Sequence, residues 1–317
     1  MFLMPMSAVG FGVFSGVTGY QPAGALMFDG SADYLARTDS GAASDGKIGT
    51  FSCWIKRQGP VGGASANTET IVASGNASGE NSLMFVFESS YWAAGDDTLV
   101  IGDLAGGWKE FYAGSVFRDP TAWMHICYSF DTTNATATAR HVVEVNGVAL
   151  TSTAHIELTE NLVMDMFTAG EATHIGRQTV DTTRHFDGYM ADVIGIDGTK
   201  YAASNFGETD STTGIWVPKN PADAGLTFGN NGFWLDFSTS DPGKDASGVT
   251  TENLIPYGTG TILSDLTNES YVFDGSTSSN YASKSSATSM YAGKTWHDRA
   301  RVITKARIYG KSGYDNS

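Results

Sequence analysis

The chain has 317 residues, with 38 glycines, two cysteines and a formal net charge of −15 at pH 7. This length is enough for about two domains with a core each, and two cysteines exclude a disulfide scaffold. The negative charge argues against nucleic-acid binding by the body of the chain, because a phosphate backbone selects basic grooves. Charged residues make up only 17% of the chain, and with many Gly, Thr, Ser and Asn residues this composition predicts an all-β, loop-rich protein.

The first 20 residues are apolar and rich in glycine. They lack the basic segment that opens a signal peptide, because the first basic residue is Arg37. Gly10, Gly12 and Gly16 also disfavour a membrane helix. We therefore predict that residues 1–24 form an extended apolar arm, covered by the body of the chain or by another subunit, and that the protein has no membrane partner.

Short β-branched and aromatic runs separated by turns follow the arm. Residues 25–37 predict two strands joined at Asp29 and Gly30, because Asp-Gly supplies the positive φ of a tight turn. Residues 51–57 predict a strand with one apolar face and with Trp54 on the other face. Further strands are predicted over residues 69–74, 82–88, 99–102, 111–117 and 123–131.

Several single residues have a predicted structural role within these strands. Cys53 and Cys127 lie in apolar strand patterns, so we predict two buried free thiols. His125 is predicted to be a strand residue with a hydrogen-bonded ring. Asn146-Gly147 lies between two β-branched runs and predicts a type I′ hairpin.

Residues 186–197 predict a strand in the middle of a sheet. Apolar residues occupy both alternating sets of positions, so both faces of this strand can be covered. Asp192 is the one charged interruption.

The order of these segments resembles the concanavalin A-like lectin/glucanase jelly roll, in particular its laminin-G-like branch. The matching segments are LMFDGSADYL, FSCWIKR, AWMHICYSFD, VEVNGV, HIGR and FDGYMADVIGID. The resemblance implies an antiparallel jelly-roll β-sandwich over residues 25–199.

Residues 200–252 resemble the extension that follows such jelly rolls in structural proteins of tailed phages, and this resemblance implies a virion protein. Five large apolar residues are too many for a solvated linker, so we predict that the extension packs against the sandwich. They are Trp216, Phe233, Trp234, Leu235 and Phe237.

Residues 253–317 resemble the front of a discoidin-like β-sandwich. The similarity lies in Phe273, Asp274 and Gly275 and in a core strand predicted at residues 303–309. The segment is shorter than the roughly 100 residues of a sandwich domain. We therefore predict a partial second β-sandwich, either truncated or completed by a partner.

The sequence lacks the chemistry of the jelly-roll glucanases, which carry a Glu-x-Asp-x-x-Glu run on one strand. The six histidines show no metal-ligand spacing, and no nucleotide-binding glycine motif is present. We therefore predict no catalytic residues, no metal and no cofactor. Asp96 and Asp97 leave two alternatives open, a solvated acidic turn, which the sequence favours, and a calcium site of the kind that laminin-G-like sandwiches hold.

Three aromatic residues in loops are the candidate carbohydrate-binding residues, Tyr91, Trp92 and Trp108. They flank acidic or glycine-rich turns, and a flat apolar platform beside hydrogen-bonding groups is typical of sugar sites. Burial under a neighbouring segment is the alternative.

Charge is divided unevenly along the chain. Residues 280–317 hold seven of the 19 basic and two of the 34 acidic residues, so this tail carries +5 and residues 1–279 carry −20. We therefore expect the tail to dock on an acidic surface, either on the jelly roll of the same chain or on the next subunit; a solvated basic face is the alternative.

These features favour a non-enzymatic virion structural protein: a decoration, fibre or tail subunit. Its expected partners are other virion proteins and copies of itself, with cell-surface glycans as a further partner of the jelly roll. The alternative is a secreted carbohydrate-binding or carbohydrate-cleaving protein. The missing basic N-terminal segment and the missing acidic run both count against it.

Overall fold

The computed structural model describes residues 2–5, 19–58, 68–76, 79–86, 97–103, 109–180, 183–238, 241–248, 254–257, 261–264, 292–296 and 299–300. The chain divides into two compact units, Met1–Gly258 and Thr259–Ser317. The strands of the first unit are β1 Phe2–Pro5, β2 Gly24–Asp29, β3 Tyr34–Thr38, β4 Ile48–Arg57, β5 Thr68–Asn76, β6 Gly79–Val86, β7 Thr98–Asp103, β8 Lys109–Val116, β9 Met124–Asp131, β10 His141–Val145, β11 Val148–Ala149, β12 Ser152–His155, β13 Ala172–Ile175, β14 Asp187–Asp197, β15 Gly207–Thr209, β16 Trp216–Pro218, β17 Phe233–Leu235 and β18 Ile255–Tyr257.

The first unit is an antiparallel β-sandwich. Sheet A has the strand order β1-β2-β14-β4-β9-β10-β11, and β17 also pairs with β14. Sheet B has the order β12-β8-β7-β6-β5-β13-β3-β18, and β15 and β16 form a separate hairpin. The described residues contain no α-helix, only short 3-10 turns such as Ala203–Asn205. The all-β fold class predicted from the sequence is confirmed.

Large apolar side chains from both sheets fill the core between them. Phe28, Phe51 and Phe130 of sheet A and Leu35 and Ile71 of sheet B are fully buried, and each such side chain contributes about 1.5–3 kcal/mol relative to an exposed one. The sheets also meet at a ring pair, because Phe111 on β8 packs edge-on against His141 on β10 with centroids 5.6 Å apart.

Strand β14 occupies the middle of sheet A, as the sequence predicts. One edge pairs with β4 along most of its length. The other edge is shared, because β2 pairs with Asp187 to Met190 and β17 pairs with Val193 to Gly195. The register with β4 shifts between Ala191 and Ile194, and Asp192 there has φ +41°. This bulge marks the place where the partner of β14 changes from β2 to β17.

The two turns predicted from the sequence form, but only one of them joins paired strands. Asn146 and Gly147 have φ 50° and 75°, as a type I′ turn requires, and connect the paired strands β10 and β11. Gly30 also has positive φ, and the Asp29 carboxylate accepts hydrogen bonds from the N–H groups of the next turn. The strands on either side, β2 and β3, lie in different sheets. That turn is therefore a crossover between sheets, where the sequence suggested a tight turn between neighbouring strands.

Both ends of the first unit add edge strands to the sandwich. Strand β1 pairs with β2, with Phe2 opposite Met27, so the start of the predicted arm extends the chain's own sheet A. Strand β18 pairs with β3 at the edge of sheet B.

The second unit contains three described strands, β19 Thr261–Ser264, β20 Ala292–Trp296 and β21 Arg299–Ala300, which form one antiparallel sheet. Residues 273–275 and the strand predicted at residues 303–309 lie outside the described residues. The partial second sandwich therefore stays a prediction.

Candidate functional site

The three aromatic residues predicted to bind sugar, Tyr91, Trp92 and Trp108, lie outside the described residues. The described strands fix where their loops are attached. The first loop joins β6 to the start of β7, and the second joins the end of β7 to β8. Because β7 has six residues, these attachment points are about 17 Å apart at roughly 3.3 Å per residue. The two loops are thus attached at opposite ends of one strand, and the site stays a prediction.

The extension after residue 199 packs against the outer face of sheet A, as predicted. The Trp216 ring stacks on the His125 ring with centroids 6.1 Å apart, and His125 lies 5.1 Å from the Trp54 ring. A Cβ atom at Gly147 or Gly207 would overlap the Trp216 ring, at 2.4 and 2.5 Å. These two glycines therefore form the slot that the Trp216 ring occupies. Trp54, on the outer face of sheet A beside His125, is buried as well.

His125 is a strand residue whose ring is hydrogen-bonded, as predicted. The Trp216 indole N–H donates to His125 Nδ1 at 3.2 Å, which leaves Nε2 to donate to the Ser52 hydroxyl at 2.8 Å. Burial lowers the pKa of His125 to about 3, so the ring is neutral. Cys53 and Cys127 are also buried free thiols, as predicted, and burial raises the pKa of both.

The buried Asp192 carboxylate joins three segments of the chain. Its Oδ1 accepts a hydrogen bond from the Trp234 indole N–H of β17 at 2.9 Å and from the Tyr20 hydroxyl at 3.3 Å. Its Oδ2 is buried without a hydrogen-bond partner among the described residues. Burial raises the pKa of Asp192 to about 7, although the hydrogen bonds from Trp234 and Tyr20 oppose this rise.

Replacing Asp192 by asparagine should flatten the pH dependence of stability. The pKa of Asp192 is about 7 in the folded protein and about 3.9 in an unfolded chain. The folded state therefore binds this proton more tightly, and the free energy of unfolding falls as the pH rises from about 4 to about 7. The D192N variant lacks this titration, so between pH 4 and 7 it should lose less stability than the parent, by an amount on the order of a few kcal/mol.

Urea denaturation over this pH interval measures the effect. Glu69, whose pKa burial raises to about 8, titrates in both proteins and so cancels in the comparison. Parallel pH profiles for D192N and the parent would contradict the raised pKa of Asp192.

The structure contradicts the solvated acidic turn that the sequence favoured for Asp97. Asp97 is buried, and its Oδ1 lies 3.0 Å from Nη2 of the buried Arg57. Its Oδ2 lies 3.5 Å from Arg118. Asp96 lies outside the described residues. In the described part of the chain, no group of three or more His, Cys, Asp or Glu side chains is arranged to hold a metal ion.

A polar groove of about 390 Å³ opens beside the extension. It is lined by Tyr20, Ser204, Asn205, Glu208, Pro218, Lys219, Asn220, Asp223 and Ala224. The Lys219 ammonium donates to the Ser204 carbonyl at 2.9 Å and lies 3.7 Å from the Glu208 carboxylate. The Asn220 amide donates to the Asp223 carboxylate at 2.8 Å. Carboxylate, amide and ammonium groups thus surround one opening beside an aromatic residue.

The elements of sheet A hold this groove in place. The Glu144 carboxylate on β10 accepts the N–H of Ala203 at 2.8 Å, which positions the 3-10 turn of Ser204 and Asn205. The hairpin β15–β16 sets Glu208 opposite Val217. A turn after β16, closed by a hydrogen bond from the Ala222 N–H to the Asn220 side-chain oxygen, presents Asn220 and Asp223. Tyr20 also lines the groove, and its hydroxyl donates a hydrogen bond to Asp192.

Sequence reasoning missed this groove. The residues predicted to bind sugar are aromatic residues in loops, whereas eight of the nine lining residues belong to the extension and Tyr20 belongs to the predicted arm. The one local signal is the polar segment KNPAD at residues 219–223, which directly follows the apolar strand β16.

No model of a known protein family matches the chain, and a search of curated proteins finds no match. Solved structures do match. A putative carbohydrate binding protein from Bacteroides ovatus is 17% identical with a TM-score of 0.47, and the match covers 74% of this chain and 58% of that one. Domains LG4-5 of the mouse laminin alpha1 chain are 13% identical with a TM-score of 0.37, covering 57% and 44%.

Tailspike protein 2 from an Escherichia coli O157:H7 bacteriophage is 12% identical with a TM-score of 0.39, covering 64% of this chain and 25% of the tailspike. The chain thus spans less than two thirds of each of these three proteins. At these identities the likeness concerns the β-sandwich fold alone.

In the described part of the chain, no helix is long and apolar enough to cross a membrane.

Proposed function

We propose that the chain is a carbohydrate-binding, non-enzymatic structural protein of a virion. The observation that carries carbohydrate binding is the polar groove, where the acidic residues Glu208 and Asp223, the amide residue Asn220 and the aromatic residue Tyr20 line one opening. Hydroxyl groups of a sugar donate to carboxylates and exchange hydrogen bonds with amides, and an aromatic ring covers the apolar face of a pyranose. The loops with Tyr91, Trp92 and Trp108 remain candidates for further contacts with the same class of ligand.

The proposal that the protein is not an enzyme rests on the missing Glu-x-Asp-x-x-Glu run. On strand β14, the Asp192 carboxyl has a pKa raised to about 7. It is 3% exposed and accepts hydrogen bonds from Trp234 and Tyr20. That position holds three segments of the chain together and keeps the carboxylate away from a substrate.

The virion role is supported by the resemblance of residues 200–252 to phage extensions, together with the packing of this segment as part of the sandwich. We propose other virion proteins and copies of the same chain as partners. The tail at residues 280–317, which carries +5, would dock on acidic surface of the −20 remainder in a neighbouring copy.

A glycan array combined with product analysis tests the function. The full chain should retain at least one class of glycan, and incubation with that glycan should release no reducing ends. Absence of binding to every glycan would contradict carbohydrate binding. Release of reducing ends that grows with time would contradict the non-enzymatic role and favour a carbohydrate-cleaving protein.

A further inference from the structure

The groove contains more acidic than basic groups. Among the described residues, its lining side chains include two carboxylates, Glu208 and Asp223, and one cation, Lys219, but no arginine. The charge of Lys219 already faces Glu208 at 3.7 Å, and its ammonium donates to the Ser204 carbonyl. Glu208 and Lys219 therefore offset each other, and the Asp223 carboxylate leaves the described lining with a net negative charge and with acceptors for a ligand.

Acidic sugars need the opposite arrangement. A uronic or sialic acid carboxylate is bound best by charge-assisted donors, and the planar fork of arginine is the strongest of these. In this groove such a carboxylate would face Glu208 and Asp223 instead, and the net charge of −15 adds a field of the same sign.

Sugars that present only hydroxyl, amide or amino groups match the groove. A carboxylate is an acceptor with two oxygens, so it can receive donors from two adjacent hydroxyls or from an ammonium group. The Asn220 amide can both donate and accept. We infer that the groove selects neutral and amino sugars and rejects acidic ones, an inference that rests on the proposed carbohydrate-binding function.

The first arm of the test is an array with uncharged and acidic glycans in equal number, including β-linked mannan oligosaccharides and polymannuronate, which differ at the sugar C6 carboxylate. The full chain should retain uncharged or amino glycans and should bind mannan more tightly than polymannuronate. Preferential retention of acidic glycans would overturn the inference and leave carbohydrate binding standing. Retention of no glycan would contradict the proposed function itself.

The second arm measures the affinity of the strongest retained glycan by calorimetry for two matched variants. Glu208→Gln removes a groove carboxylate that is 55% exposed and faces Lys219. Glu160→Gln removes a similar carboxylate, 52% exposed and paired with Arg140, that does not line the groove. Glu208→Gln should weaken binding about tenfold or more, as expected for a hydrogen bond to a charged group, and Glu160→Gln should not. Equal affinities for both variants would overturn the assignment of the groove while leaving sugar binding elsewhere on the chain.

Discussion

Replacing Phe233 by alanine should lower the free energy of unfolding by about 3–5 kcal/mol, the range for a buried aromatic ring that leaves a cavity. Phe233 is 1% exposed. Its ring closes over Gly195, where an added Cβ would lie 2.6 Å from the Phe233 ring and 2.9 Å from the Phe167 ring. The guanidinium of Arg37 stacks on the ring at 4.9 Å from its centroid, so the substitution removes both packing and a cation–π contact.

This result would establish the extension as a structural part of the sandwich. Phe233 lies on β17, which pairs with β14, and the Arg37 side chain also donates to the carbonyl of Asn231. Chemical denaturation measures the change. Ile215→Ala is the control, because Ile215 belongs to the same extension but is 41% exposed and should change stability by no more than about 0.5 kcal/mol. If both variants lose the same small amount, the extension behaves as a solvated linker and the account of it is wrong.

Replacing Arg57 by leucine should cost about 3–5 kcal/mol, because it leaves a buried carboxylate without its main cation. Arg57 Nη2 lies 3.0 Å from Asp97 Oδ1, and both side chains are buried. Arg57 also donates to the Phe117 carbonyl at 2.7 Å. Glu69 Oε2 also lies 3.6 Å from Arg57 Nε, and burial raises the pKa of the Glu69 carboxyl to about 8.

Arg118 provides a matched control for this prediction. It faces the same carboxylate, with Nε 3.5 Å from Asp97 Oδ2, but its side chain is 68% exposed. An exposed ion pair contributes roughly 0–1 kcal/mol, so Arg118→Leu should be nearly neutral. Denaturation of both variants at pH 7 measures the difference. Equal losses for R57L and R118L would mean that burial does not decide the strength of these pairs.

The sequence allowed most of the sandwich to be predicted because its strands are short and regular. The Asn146-Gly147 turn and the closing strand β14 follow directly from local pattern, since turn chemistry and two-residue alternation are local properties. Which strands pair with each other is not a local property of the sequence. Nothing in residues 25–37 shows that β2 and β3 belong to different sheets, because that depends on the partners β14 and β13 much later in the chain.

The candidate site was harder to predict for the same physical reason. Tyr20 is far in the sequence from Glu208 and Asp223, and the three residues meet because the extension folds back over sheet A. The large apolar residues of the extension did predict that it packs, and Trp216 shows how, with its ring between Gly147 and Gly207. Asp192 was recognised as an interruption of its strand, but its bonds to Tyr20 and Trp234 join segments that no local pattern connects.

The most direct test of carbohydrate binding in the groove is a crystal structure of the full chain with the glycan that it binds best. The account predicts a sugar ring in the groove beside Tyr20, with hydroxyl or amino groups donating to the carboxylates of Glu208 and Asp223. A sugar bound elsewhere on the sandwich with the groove empty would contradict it.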